Sequence, residues 1–294
     1  MTSRSEYQMM QLIMDTATAD PRIRAVLLNG SRANPRVAPD IFRDYDIICV
    51  VTALAPFLAD HSWIDVFGER MILQMPEAME LYPPELDGAF SYLMQFMDGN
   101  RIDLTLVPAD RLEDFLEDSL CKVLLDKDHL PALADLAPSG DSSYHVNPPA
   151  AQEFSDCCNE FLYTATGLAK GIWRKQTVLV KQLFYTVTQG ALIQMLDWHI
   201  GCRHNFAVNT GKYGKFYPQL LEPELYAALL STYRTAETSE TWEALFTAMD
   251  LFRKAAQAVA GHSGFTYPEE EHRKITAYLK HVQQLPEDAK QIYL

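Results

Sequence analysis

Leu27-Leu28-Asn29-Gly30-Ser31-Arg32 is followed, after a gap of about a dozen residues, by Asp44-Tyr45-Asp46-Ile47. An apolar run that ends in Gly-Ser predicts a buried strand running into a tight turn. A second apolar run, 47–51, opens with two carboxylates one residue apart. Alternate residues of a strand point to the same face, so Asp44 and Asp46 project together and Tyr45 points the other way. Two carboxylates that close repel each other, and one takes up a proton unless a cation sits between them. A hard divalent cation such as Mg2+ fits, because it takes oxygen ligands and shares them with phosphate oxygens. Gly30 allows the backbone to turn and approach a ligand. The N–H groups there, with the Ser31 hydroxyl, suit a phosphate.

Gly-Ser, a gap of about a dozen residues and Asp-x-Asp on a strand resemble the signature of the DNA-polymerase-β-like nucleotidyltransferases. That resemblance implies a third carboxylate on a later strand. Gly99-Asn100-Arg101-Ile102-Asp103-Leu104-Thr105-Leu106-Val107 offers Asp103, just after an expected Asp98-Gly99 hairpin turn whose first strand is 90–97. Each piece alone is weak: a lone Asp-x-Asp is usually a solvated strand end. Together, in this order, they point to phosphoryl chemistry.

The chain has 294 residues, 48% hydrophobic and 22% charged, which is ordinary for a soluble protein and long enough for two domains. No apolar run reaches membrane-span length, and residues 1–6 lack a signal-peptide pattern, so the cytoplasm is the expected location. Five cysteines without a C-x-x-C pair suggest no disulfide, zinc site or catalytic thiol. The net charge of −14 is uneven: residues 1–145 hold 24 acidic and 11 basic residues, a net of −13, and residues 146–294 hold 15 and 14, a net of −1. An acidic chain is a poor binder of polyanions, which argues against a nucleic-acid partner and suits a cationic small molecule.

Hydrophobic periodicity predicts a helix over 6–19, strands over 23–28 and 45–52, and helices over 55–60 and 63–67. A strand over 70–74, a loop over 77–86, the hairpin 90–97/101–107, a helix over 110–117 and a strand over 122–125 complete a mixed half. The fold class expected is α+β: a nucleotidyltransferase domain over 1–137, with a mixed sheet flanked by helices, a linker over 138–149 rich in turn formers, and a helical-bundle domain over 150–294. Helices are expected there over 150–174, 176–200, 222–232, 240–260 and 269–284. The segment Gly211-Lys212-Tyr213-Gly214-Lys215-Phe216 has the charge to close over a triphosphate, although a surface turn with solvated lysines is the plainer reading of it alone. Glu160, Tyr163 and Trp173 lie on the first long helix and would suit a cationic sugar, against the simpler reading of a core stripe plus a solvated face.

Taken together, Leu28 to Pro35, Asp44 to Ile47, Gly99 to Leu104, Cys157-Cys158-Asn159-Glu160-Phe161, Met195-Leu196-Asp197-Trp198-His199-Ile200-Gly201 and Gly211 to Phe216 resemble the aminoglycoside 6-adenylyltransferase (streptomycin adenylyltransferase) family. The resemblance spans most of the chain. It implies transfer of AMP from ATP to a hydroxyl of streptomycin with Mg2+, two ions being expected on Asp44, Asp46 and Asp103. Asp103 would ligate the ion at the attacking hydroxyl, accept its proton, or both. Gly30, Ser31, Arg32, Lys212 and Lys215 would bind the nucleotide, and Glu160, Tyr163 and Trp173 the aminoglycoside. The chain departs from the family at Leu162 after Glu160-Phe161, and at Gln176 and Gln182, where the family usually carries acids. Those departures keep open a different acceptor, while the three carboxylates weigh against a nucleotide-binding module without catalysis.

Overall fold

The computed structural model describes residues 2–82, 84–234 and 236–293. The chain forms two compact units that divide between Ser143 and Tyr144.

The first unit is built on a six-stranded mixed sheet. Its strands are β1 (Ile23–Asn29), β2 (Tyr45–Val51), β3 (Arg70–Gln74), β4 (Phe90–Phe96), β5 (Arg101–Pro108) and β6 (Cys121–Asp126), in the order β3-β4-β5-β2-β1-β6. Only the β2–β5 pair is parallel; the others are antiparallel. Helix α1 (Glu6–Ala19), the single turn α2 (Gly30–Ala33) and the short helices α3 (Ala55–Leu58) and α4 (Pro131–Ala134) complete the unit. Alternation sorts the strand residues between two cores. Tyr45, Ile47, Cys49, Ile102 and Leu104 face one core with Met9, Ile13 and Phe57. Ala25, Leu27, Ile48, Val50 and Val107 face the other. β2 and β5 are therefore covered on both sides along their apolar stretch, as central strands require.

Several expectations shift in detail. The segments 61–67 and 109–115 are 3-10 rather than α-helical. A 3-10 turn, Pro76–Ala78, overlaps the start of the expected loop 77–86, and Pro83 lies outside the described residues.

The second unit is helical: α5 (Ala151–Trp173), α6 (Thr177–Leu183), α7 (Gln189–Arg203), α8 (Tyr217–Leu220), α9 (Pro223–Ser231), α10 (Thr238–Ser263) and α11 (Glu269–Gln284). The continuous helix expected over 176–200 is instead split by a π-helical turn, Phe184–Thr188, between α6 and α7. The wider turn keeps Phe184 and Thr188 buried and leaves Tyr185 exposed. Phe161 and Phe252 stack with ring centroids 3.9 Å apart and tie α5 to α10. Among the described residues no helix is long and apolar enough to cross a membrane.

Candidate active site

Strand register places the carboxylates. Asp46 lies opposite Asn29 on β1 and beside Asp103 on β5. The row continues to Cys121 on β6 and Leu93 on β4. Residues in register on adjacent strands share a face, so Asn29, Asp46 and Asp103 form one polar row, on the face that carries Leu27, Ile48, Val50 and Val107. Asp44 comes just before β2 and adds a third carboxylate.

Gly30 explains how Asp46 fits. Its φ is +66°, a left-handed value that side-chain-bearing residues rarely adopt, and a Cβ placed there would lie 2.2 Å from Asp46 Oδ2. The carboxylate thus occupies the space that any other residue would fill. Burial, then the charges of Asp103 and Asp44, push the Asp46 carboxyl up to about 6. Asp44 is also raised, chiefly by burial.

One cation already sits in this group. Arg101 donates from Nε to Asp103 Oδ1 at 2.7 Å and from Nη2 to Oδ2 at 2.7 Å. Its Nε lies 3.8 Å from Asp44 Oδ2. Arg101 precedes Asp103 by two residues on β5 and so shares its face; that period-two spacing was the signal in the sequence that could have found it. Asn29 was also passed over, though it stands in the same motif as Gly30. It is buried, with Nδ2 3.2 Å from Asp118 Oδ2 and its Oδ1 without a hydrogen-bond partner.

Arg32 is placed differently from the expectation of a phosphate contact. Its side chain is 7% exposed and Nη1 lies 3.0 Å from Glu6. Nε donates to the Asp44 carbonyl at 2.9 Å and Nη2 to the Arg43 carbonyl at 2.8 Å. The guanidinium lies over the Tyr45 ring, 3.7 Å from its centroid. These contacts tie the Arg43-Asp44 backbone to α1, so Arg32 holds Asp44 in place from behind. Ser31 stands in α2, and among the described residues its hydroxyl makes no hydrogen bond. One helical turn carries little macrodipole, so a phosphate here would be held by individual N–H groups and the hydroxyl.

Three carboxylates supply the hard oxygen donors that Mg2+ takes, and the cradle at Gly30 is filled by one of them. Among the described residues, no three His, Cys, Asp or Glu side chains stand together as a ready metal cluster. Asp103 is turned onto Arg101. The donor set fits, but the arrangement is not preassembled.

The family model described as streptomycin adenylyltransferase matches residues 3–282. The chain belongs to the streptomycin adenylyltransferase family. An aminoglycoside 6-adenylyltransferase of Bacillus subtilis (strain 168) is 40% identical over 268 residues, 90% of this chain and 94% of the relative. One from Campylobacter jejuni is 39% identical over 90% of this chain and 91% of the relative. One from Staphylococcus aureus is 33% identical over 91% and 95%. A crystal structure of an aminoglycoside 6-adenyltransferase from Bacillus subtilis aligns over 96% of this chain and 100% of that one, at 35% identity and a TM-score of 0.47.

In this family member the remaining candidates lie in the helical unit. Lys212 and Lys215 sit on a fixed turn. Gly211 and Gly214 have φ of +74° and +71°; a Cβ on Gly211 would be 2.8 Å from the Phe216 ring, and one on Gly214 2.8 Å from the ring of buried Tyr217. Lys212 Nζ lies 5.5 Å from the Tyr213 ring centroid and Lys215 Nζ 5.1 Å from that of Phe216. Among the described residues neither lysine forms an ion pair. Glu160 and Tyr163 are exposed neighbours on α5, but Trp173 lies ten residues beyond Tyr163, about 15 Å along the helix, and turned away from it. It borders a cavity of about 240 Å³ with Lys170, Arg174, Tyr278 and Lys290. The three residues are not brought together, and the basic rim around Trp173 has the wrong sign for a polycation. Gln176 and Gln182 are exposed. An open cavity of about 620 Å³, which no sequence motif marks, is lined by Tyr185, Gln189, Ile193, Tyr213 and Tyr233. The rings of Tyr185 and Tyr233 lie nearly parallel there, 5.9 Å apart. Three separated segments and the π turn build it, which no local pattern announces.

Three outcomes follow from these contacts. Gly30→Ala forces a side chain into the Asp46 carboxylate at a left-handed backbone position; it should cost about 1–2 kcal/mol of stability from the backbone alone and lower AMP transfer far more than ATP binding. Arg32→Lys keeps the charge but cannot span two carbonyls; a loss of about 2 kcal/mol in denaturant melts with little change in the ATP KM is expected, whereas a phosphate contact would show the reverse. Asp46 carries the pH prediction. Its raised carboxyl holds a proton in the folded chain that it gives up in the unfolded chain between about pH 4 and 6, so the contribution of Asp46 to metal-free stability falls as pH rises through that window. In chelator, Asp46→Asn should melt higher than the parent at pH 8, by at most about 3 kcal/mol, and alike at pH 3. A variant that melts lower at pH 8 would refute the crowding argument.

Proposed function

We propose that the protein transfers AMP from Mg-ATP to a hydroxyl of an aminoglycoside, with streptomycin at its 6-position as the acceptor, and so inactivates the drug in the cytoplasm. The observation that carries this reading is the Asp46–Asp103 pair, set side by side by the parallel register of β2 and β5, in a chain of this family. The relatives' names supply the acceptor class, and the acidic balance of the sheet-bearing half suits a cationic one.

In the reaction the acceptor oxygen attacks the α-phosphorus of ATP in line. A P–O bond forms there, the bond to the bridging oxygen breaks, and pyrophosphate leaves. Asp44 and Asp46, with Asp103, would hold the divalent cation; when bound, it neutralises phosphate charge and stabilises attacking and leaving oxygens. Asp103 would take the proton of the attacking hydroxyl once free of Arg101. Gly30 and Ser31 hold the β- and γ-phosphates through backbone N–H groups and the hydroxyl. Lys212 and Lys215 would contribute positive charge to nucleotide binding. The tyrosine-lined cavity beside Tyr213 suits a flat nucleotide base better than a polycation. Its lining has no carboxylate, and Lys181 and Lys212 already lie near the Tyr185 and Tyr213 rings.

A second reading keeps the transfer and changes the acceptor. It is favoured by Gln176 and Gln182, exposed and uncharged where the family resemblance calls for acids. The test is Mg2+-dependent pyrophosphate release from ATP by the purified chain, with and without streptomycin. Streptomycin-stimulated release, with a product heavier by one AMP, is the expected result. ATP binding without streptomycin turnover would move the assignment to another acceptor, and absence of Mg-ATP binding would end it.

A further inference from the structure

We propose that Arg101 is the resident counter-cation of the carboxylate row: its guanidinium occupies Asp103 when no divalent cation is bound, and a cation can be ligated by Asp103 only after displacing it. This rests on the metal reading given under Proposed function.

The geometry is that of a side-on fork. Both terminal contacts, Nε to Oδ1 and Nη2 to Oδ2, are 2.7 Å, so one guanidinium edge uses both oxygens of Asp103. The same Nε is 3.8 Å from Asp44 Oδ2. Arg101 therefore bridges two of the three carboxylates that a divalent cation would bridge. Because a guanidinium stays charged at any working pH, it cannot be switched off by a proton; it can only be displaced. The pair is also placed for displacement. The Arg101 side chain is 40% exposed and that of Asp103 is 21% exposed, in contrast to Arg32 at 7%. Pairs this open contribute little net stability, and the long arginine stem can swing into solvent without disturbing β5. Charge bookkeeping favours the exchange when a cation arrives, since two positive charges among three carboxylates replace one.

The exchange has a measurable signature. A site whose competent form is only partly populated binds its ligand more weakly by that fraction. Mn2+ binding to the full-length protein without nucleotide, read by electron paramagnetic resonance, would be compared for the parent, Arg101→Met, Asp103→Asn and the double variant. Arg101→Met should bind Mn2+ about 3- to 10-fold more tightly than the parent, if the closed pair holds most of the population. Loss of any nearby positive charge would also tighten binding, and the double variant separates the two causes. In the Asp103→Asn background the gain from Arg101→Met should shrink to below about twofold. A gain that persists undiminished there would make Arg101 a mere background charge and overturn the proposal. So would equal Mn2+ affinity in parent and Arg101→Met. If Arg101→Met does not fold, Arg101→Lys, which keeps the charge and loses the fork, stands in its place, with a smaller gain expected and no gain overturning the proposal. Mn2+ binding by none of the proteins would instead remove the metal reading itself.

Discussion

The crowding of Asp44, Asp46 and Asp103 at one end of a paired β2–β5 ribbon is the constraint on which the rest of the first unit depends. Each residue's place is fixed by something apolar behind it. Ile47 and Leu104 anchor the next register position in one core, and Tyr45 and Ile102 fix the one before. The carboxylates cannot drift apart to relieve repulsion without breaking a buried ladder. A fold that holds like charges together against that cost spends stability on chemistry, and sites of function are where such spending is found. Gly30 and Arg32 belong to the same design. One vacates space for the Asp46 carboxylate, and the other pins the carbonyl of Asp44 through a buried guanidinium.

Much of this was legible in the sequence, because strand alternation and turn chemistry are local. Gly-Ser after an apolar run, Asp-x-Asp before another and Asp103 after Asp98-Gly99 were enough to name the elements that carry the carboxylates. The direct juxtaposition of Asp46 and Asp103 was not legible. It depends on β5 pairing in parallel with β2, a non-local choice that the sequence leaves to the packing of the whole sheet. Arg32 shows a different limit. Its charge and position beside Gly-Ser suggest a phosphate partner, but two carbonyls and the Tyr45 ring claim it first, and none of these partners declares itself in a motif. In the helical unit the apolar period runs almost unbroken over 176–200, so one helix was expected. The π turn inserts without disturbing that period much, yet it turns Tyr185 out to meet Tyr233.

The two arginines divide what the sequence assigned to one. Arg32 is committed to structure, buried and held on several sides. Arg101 is half-open, held on one side by a carboxylate that the chemistry needs. That contrast in burial, more than any difference in charge, decides which of them is free to take part in a reaction. It also means that the chain itself supplies a positive charge at the carboxylate row, which limits the repulsion among Asp44, Asp46 and Asp103.

The carboxylate row and the two glutamines lie in different units. The carboxylate row, Gly30 and Arg101 all lie within the sheet unit and are held by contacts internal to it. Gln176 and Gln182 lie in the other unit, exposed, with no core contact that their identity must satisfy. Exchanging an acid for an amide at such positions changes local charge by one each and leaves the packing alone. Such exchanges leave the contacts that hold the carboxylate row untouched. If recognition of a polycation rests on charge at the helical unit, two lost acids weaken it by electrostatics alone, while an acceptor with fewer positive groups gains. The intact carboxylate row speaks for transfer, and the glutamines speak only to what receives the nucleotide.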